Sequence, residues 1–130
     1  MTRPPAWWRR RGPQAQGAET IEALAIAAAD QDVDGVVSLL HPAVVTVVDS
    51  GGYVDAPTTP LPGPDAAADA VLRSAVWADV TTVSVNGSPG LVIRHQDRIT
   101  TVICARTDAG LIVELWVIRN PEKLRRWDRL

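Results

Sequence analysis

The sequence predicts an α+β domain in which helices come first and a strongly bent, mainly antiparallel sheet follows. Three observations carry this prediction. Apolar residues recur at helical spacing in the first 40 positions, a further helical stretch follows a Pro/Gly-rich loop, and beyond Trp77 the chain becomes β-branched runs separated by short turns. At 130 residues there is room for one domain with a real core and none for a second.

Residues 1–18, "MTRPPAWWRRRGPQAQGA", mix Pro, Gly, Gln and Arg without a period and read as a disordered tail; the folded domain is expected over residues 19–127. From Glu19, the residues Ile21, Leu24, Ala25 and Ala28 share one helical face. The pattern resumes after the acidic break at Val33, Val36, Val37 and Leu40, with Pro42 ending this second helix. "AVVTVVD", Ala43 to Asp49, has the β-branched density of a buried strand. The loop "SGGYVDAPTTPLPGP" follows, and Asp65 is the expected N-cap of a third helix whose face carries Ala68, Val71, Leu72, Ala75 and Val76. Strands are then expected over residues 80–85, 90–95, 98–106 and 111–118, joined at "NG", near Asp97 and at "TDAG" as an antiparallel meander.

Composition excludes several functions. No run approaches the roughly 20 apolar residues of a membrane helix, and no export signal is evident. The single cysteine, Cys104, can form neither an internal disulfide nor a cysteine metal cluster, so a reducing cytoplasm is expected. A net charge of −2 argues against general nucleic-acid binding through phosphate neutralisation. His41 and His95 stand far apart at element ends and read as solvated, because a zinc site needs three or four converging ligands. Neither a metal nor a cofactor is expected.

The element order together with "DVDGVVSLLHPAVVTVVD" resembles the SnoaL-like branch of the NTF2-like superfamily, which also contains ketosteroid isomerase. That resemblance covers about residues 19–127. It implies a cone with a pocket between helices and concave sheet, and often a homodimer. Four short stretches in order, "DSGG" (Asp49 to Gly52), "PLPGPDAA" (Pro60 to Ala67), "NGSPG" (Asn86 to Gly90) and "RNPEKL" (Arg119 to Leu124), are similar to motifs of the SnoaL-like C-terminal domains of actinobacterial extracytoplasmic-function sigma factors. Ser50 and Glu122 depart from that pattern, standing where those domains have glycine and aspartate. The sequence before Glu19 is too short for the DNA- and polymerase-binding regions of a sigma factor, so a stand-alone relative is expected if the chain is complete.

The resemblance also implies where chemistry would sit. Ketosteroid isomerase uses a general-base aspartate at the end of its first strand, with a tyrosine and a neutral carboxylic acid as oxyanion donors. Asp49 matches the base with a one-residue shift; the donor positions fall on Leu24 and Val102, which donate nothing. Losing one such donor commonly costs roughly 10²- to 10³-fold in rate. SnoaL cyclases often carry a Glu-His-Trp-Asp-like last strand, and here its His and Asp positions are Leu115 and Val117. These substitutions imply an aliphatic wall, with Tyr53 and Trp77 flanking the pocket mouth or packing in the core. An aspartate before two glycines is also a common turn residue. Trp116 and Ile118 alternate onto the opposite face, whose apolar character implies a dimer interface or another covering element.

The ends carry the remaining charge. "WWRRR" could engage nucleic acid or an anionic surface through stacking and charge, or simply be a disordered leader. Residues 119–130 form an expected docking segment: Arg119, Asn120, Pro121, Lys123 and Leu124 match the sigma-associated motif, and Leu124, Trp127 and Leu130 make an apolar stripe beside Lys123, Arg125, Arg126 and Arg129. The favoured function is a non-enzymatic, cytoplasmic regulatory or small-ligand-binding domain, partnered by itself, by a sigma factor or other transcription protein, or by an apolar small molecule. The alternatives are a cyclase, isomerase or hydrolase with Asp49 as base, acting on a polyketide- or steroid-like compound, and a purely structural dimerisation module.

Overall fold

Leu40, whose spacing assigns it to the second helix, instead begins the first strand, and that choice sets the layout of the N-terminal half. A computed structural model describes residues 14–50, 59–85 and 87–127. The Trp-Trp-Arg stretch, Tyr53, Asn86 and the Arg129 and Leu130 positions lie outside these. Helix α1 spans Gln14–Ala29 and α2 spans Val33–Ser38, so α1 begins inside the stretch read as a tail. The Asp32 side chain caps α2 by accepting the Gly35 N–H at 3.0 Å, satisfying a donor the helix cannot pair itself.

Strand β1, Leu40–Asp49, therefore contains Pro42 instead of starting after it. Proline cannot donate to a ladder, and it sits in the irregular register between Leu40 and Val45, where pairing with the neighbouring strand is interrupted. Strand β2, Leu61–Pro62, pairs antiparallel with β1 and leads into α3, Pro64–Ala75. The N-cap of α3 is Gly63, at φ +97°, with Pro64 next, so Asp65 lies in the first turn and is not the cap. Its negative charge still suits a helix N-terminus.

Strands β3 (Asp79–Val85), β4 (Ser88–His95), β5 (Arg98–Asp108) and β6 (Leu111–Ile118) form the expected antiparallel meander. Gln96 and Asp97, both at positive φ, make the two-residue β4–β5 turn. The sheet order is β2-β1-β6-β5-β4-β3, curved and unclosed, and β1 lies parallel to β6. A short helix α4, Pro121–Trp127, ends the described chain. No helix among the described residues is long and apolar enough to cross a membrane.

The sheet buries both faces. On the helix side, Leu24 of α1 and Val71 of α3 pack with Val44, Leu91, Ile93, Ile103, Leu115 and Val117. On the outer side, Val85, Val92, Val102, Cys104, Trp116 and Ile118 form a second cluster, joined by Leu124 of α4. The alternation expected for residues 115–118 holds, and Leu124 of α4 packs onto the outer cluster.

Candidate functional site

The candidate site forms where β1 and β6 end side by side and β5 begins. Asp49 pairs in register with Ile118, and Val47 with Trp116. Residues paired across strands share a face, so the Asp49 side chain points to the outer side, away from the wall made by Leu24, Leu115 and Val117. The one-residue shift allowed in aligning Asp49 with a catalytic base is therefore decisive, because a single step along a strand reverses the face. Val102 is likewise on the outer face, beside Ile118; Ile103 occupies the helix side. Leu24, Leu115 and Val117 do meet in one cluster, as aliphatic core. Tyr53 lies outside the described residues.

Asp49 is buried and receives a charge-assisted hydrogen bond of 2.5 Å from Lys123 Nζ. The main chain reinforces the corner: Arg119 N–H donates to the Asp49 carbonyl at 2.7 Å, and Leu124 N–H to the Asn120 carbonyl at 3.0 Å. Arg119 reaches the other way, donating from Nη2 to Ser74 Oγ at 2.8 Å and to the Ala70 carbonyl at 3.3 Å on α3. Its guanidinium is held below its ordinary pKa first by desolvation, with Asp69 opposing and Arg73 adding to that effect. Asn120 and Leu124 are buried. Four of the five residues read as a docking arm therefore engage their own domain, leaving Pro121 exposed together with Arg125. Two of the sequence motifs, "DSGG" and "RNPEKL", meet in the Asp49–Lys123 contact.

Other candidates resolve differently from their sequence readings. His95 is not merely solvated: Nε2 donates to the Val76 carbonyl at 2.9 Å and Nδ1 lies 2.6 Å from Thr100 Oγ1. His41 Nδ1 accepts the Ala43 N–H at 2.9 Å within β1. Trp77 is 96% exposed at φ +57°, so it is no core aromatic; it borders a recess of about 310 Å³ with Ala29, Gln31 and Val76. The buried Thr46 Oγ1, on the helix side, and Trp116 Nε1, on the outer side, have no hydrogen-bond partner. No cluster of three or more potential metal ligands occurs among the described residues.

A larger groove of about 590 Å³ lies beside the Asp49–Lys123 pair, lined by Arg98, Ile99, Thr100, Arg119, Pro121, Leu124 and Arg125. No sequence motif marks Arg98 as part of it. Its charge becomes apparent only when the start of β5 is set beside α4.

Cys104 supplies a pH prediction. Burial pushes its thiol up to about 12, so above its ordinary pKa near 9 the unfolded chain releases a proton that the folded chain keeps. Stability then falls as pH rises from about 9 toward 12, with a limiting slope of about 1.4 kcal/mol per unit from this group. Urea titrations across that range should show a shallower alkaline decline for Cys104→Ala than for the parent; parallel declines would refute the assignment.

A helix-covered, curved, open mixed sheet of this order is the SnoaL-like form of the NTF2-like fold. Within that class, the chain is similar to the Mycobacterium tuberculosis extracytoplasmic function sigma factor SigJ, at 26% identity and a TM-score of 0.62, over 81% of this chain and 42% of that one. It thus spans about two fifths of the sigma factor's length. A steroid delta-isomerase from Pseudomonas aeruginosa matches at 20% identity and a TM-score of 0.58, over 88% of this chain and 87% of that one. An LEH-like epoxide hydrolase from M. tuberculosis matches at 12% identity and a TM-score of 0.52, over 88% and 90% respectively. These two likenesses concern the fold alone. No family model matches the sequence, and no curated protein matches it.

Proposed function

We propose that this chain is a non-catalytic SnoaL-like regulatory domain, homodimeric and cytoplasmic, that acts on a sigma factor or related transcription protein. The observation that carries this reading is the position of Asp49. The carboxylate that an isomerase-like mechanism would use lies on the outer sheet face, bound to Lys123, while the helix-side positions Leu24, Leu115 and Val117 are aliphatic. A general base must reach the proton it removes, and its oxyanion donors must face the same substrate. The likeness to the sigma factor SigJ and the order of the four motifs support the transcriptional partner.

Three measurements test the proposal. Co-expression with the helical regions of the host's extracytoplasmic-function sigma factors should yield a stable complex, and native mass spectrometry should show a dimer. Incubation with a Δ5-3-ketosteroid or an aliphatic epoxide should give no conversion above buffer. Saturable turnover of either compound, or failure to form a complex with any of those factors, would overturn the reading.

A further inference from the structure

We infer that the groove between the start of β5 and the β6–α4 corner is a receptor for an acidic, aliphatic peptide segment of a partner protein. Arg98 and Arg125 are exposed at this groove, Arg119 is half-buried in it, and Ile99, Leu124 and Pro121 supply apolar lining. Among the described residues none of these three arginines makes an ion pair, and the acceptors that Arg119 does engage, Ser74 Oγ and the Ala70 carbonyl, are neutral. Asp69, the acid nearest in effect to Arg119, is itself paired with Arg73 at 2.8 Å.

Arg98 and Arg125 are two exposed like charges at the groove that repel one another and focus a positive potential there, while Arg119 lines it with its guanidinium turned to α3. Carboxylates relieve that repulsion and match the planar guanidinium fork. The apolar lining adds a requirement that a bare anion does not meet, namely an aliphatic side chain next to the charge. A nucleic-acid strand suits it poorly, since the chain as a whole is negative at −2 and these lining groups offer no aromatic platform for bases.

The site is also held in shape. The Asp49–Lys123 bond and the buried Leu124 side chain fix α4 against the sheet, and α4 carries Arg125 to the groove. The matched terminal motif thus serves as an internal latch that presents a binding surface, with the contact made by side chains around it.

This inference rests on the regulatory reading and narrows its partner to one with an exposed acidic segment. Panning the full chain against a random peptide library displayed on phage should enrich sequences that place Asp or Glu beside Leu or Ile. A synthetic copy of the most enriched peptide should bind in a salt-sensitive manner. The double variant Arg98→Glu/Arg125→Glu, which alters two exposed side chains, should keep the parent's melting temperature and weaken the peptide by about tenfold or more. Enrichment of non-acidic peptides, equal binding by parent and variant, or no enrichment would overturn the proposal. The two readings fail separately: turnover of a small molecule with peptide binding intact removes the regulatory reading and leaves the groove, whereas a sigma-factor complex unaffected by the double variant removes the groove alone.

Discussion

Asp49→Asn is expected to destabilise the domain by about 3 kcal/mol, the lower end of what removing one partner of a buried ion pair costs. The asparagine keeps the shape but leaves the Lys123 ammonium facing a neutral group. Lys123 retains 19% of its side-chain exposure against 5% for Asp49, so part of its charge can turn toward water, which moderates the loss. With a urea m-value of about 1–3 kcal/mol per molar, the unfolding midpoint should fall by roughly 1–3 M. Lys123→Met should lower it similarly, because it removes the charged partner of a more deeply buried carboxylate. The combined Asp49→Leu/Lys123→Met variant should recover most of the loss, since a well-packed apolar pair can replace a buried ion pair at little cost. A catalytic aspartate exposed to substrate predicts the reverse pattern, with stability unchanged and turnover lost. An Asp49→Asn protein within about 0.5 kcal/mol of its parent, as for an ordinary surface change, would refute the structural role.

Leu115→Ala is the second large effect, at about 3–5 kcal/mol. Leu115 is 1% exposed and packs among helix- and sheet-borne aliphatic groups, so truncation removes buried methyl groups and leaves a cavity that rigid neighbours close only in part. If Leu115 instead lined an open, water-filled cone, the missing methyls would have been partly hydrated and no new void would form. The loss would then stay near or below about 1.5 kcal/mol, the smaller end of a side-chain transfer energy. Chemical unfolding of this one variant therefore distinguishes a filled cone from an open one at this position.

Much of the architecture was legible beforehand. Alternation in "LWVI" separated Leu115 and Val117 from Trp116 and Ile118, and helical spacing placed Leu24 on a buried face. Where the readings failed, a contact distant in sequence overrode a local pattern. Leu40 fits the apolar period of α2, yet β6 takes it into a strand through pairing with Ile112. Asp65 is a residue type that caps helices well, but Gly63, linked through its N–H to the Val44 carbonyl, turns the chain first. Asp49 was a plausible base only while its face was undetermined.

By itself the sequence determined the class of fold, the meander and the two-faced pattern of its last strand, because helical period, strand alternation and turn chemistry are properties of neighbouring residues. Tertiary structure alone decided that β1 lies parallel to β6, that Asp49 faces outward to Lys123, 74 positions away, and that Arg98 joins Arg119 and Arg125 at one groove. A charge acquires its role from what burial places beside it, and no local period encodes the register that brings distant side chains together.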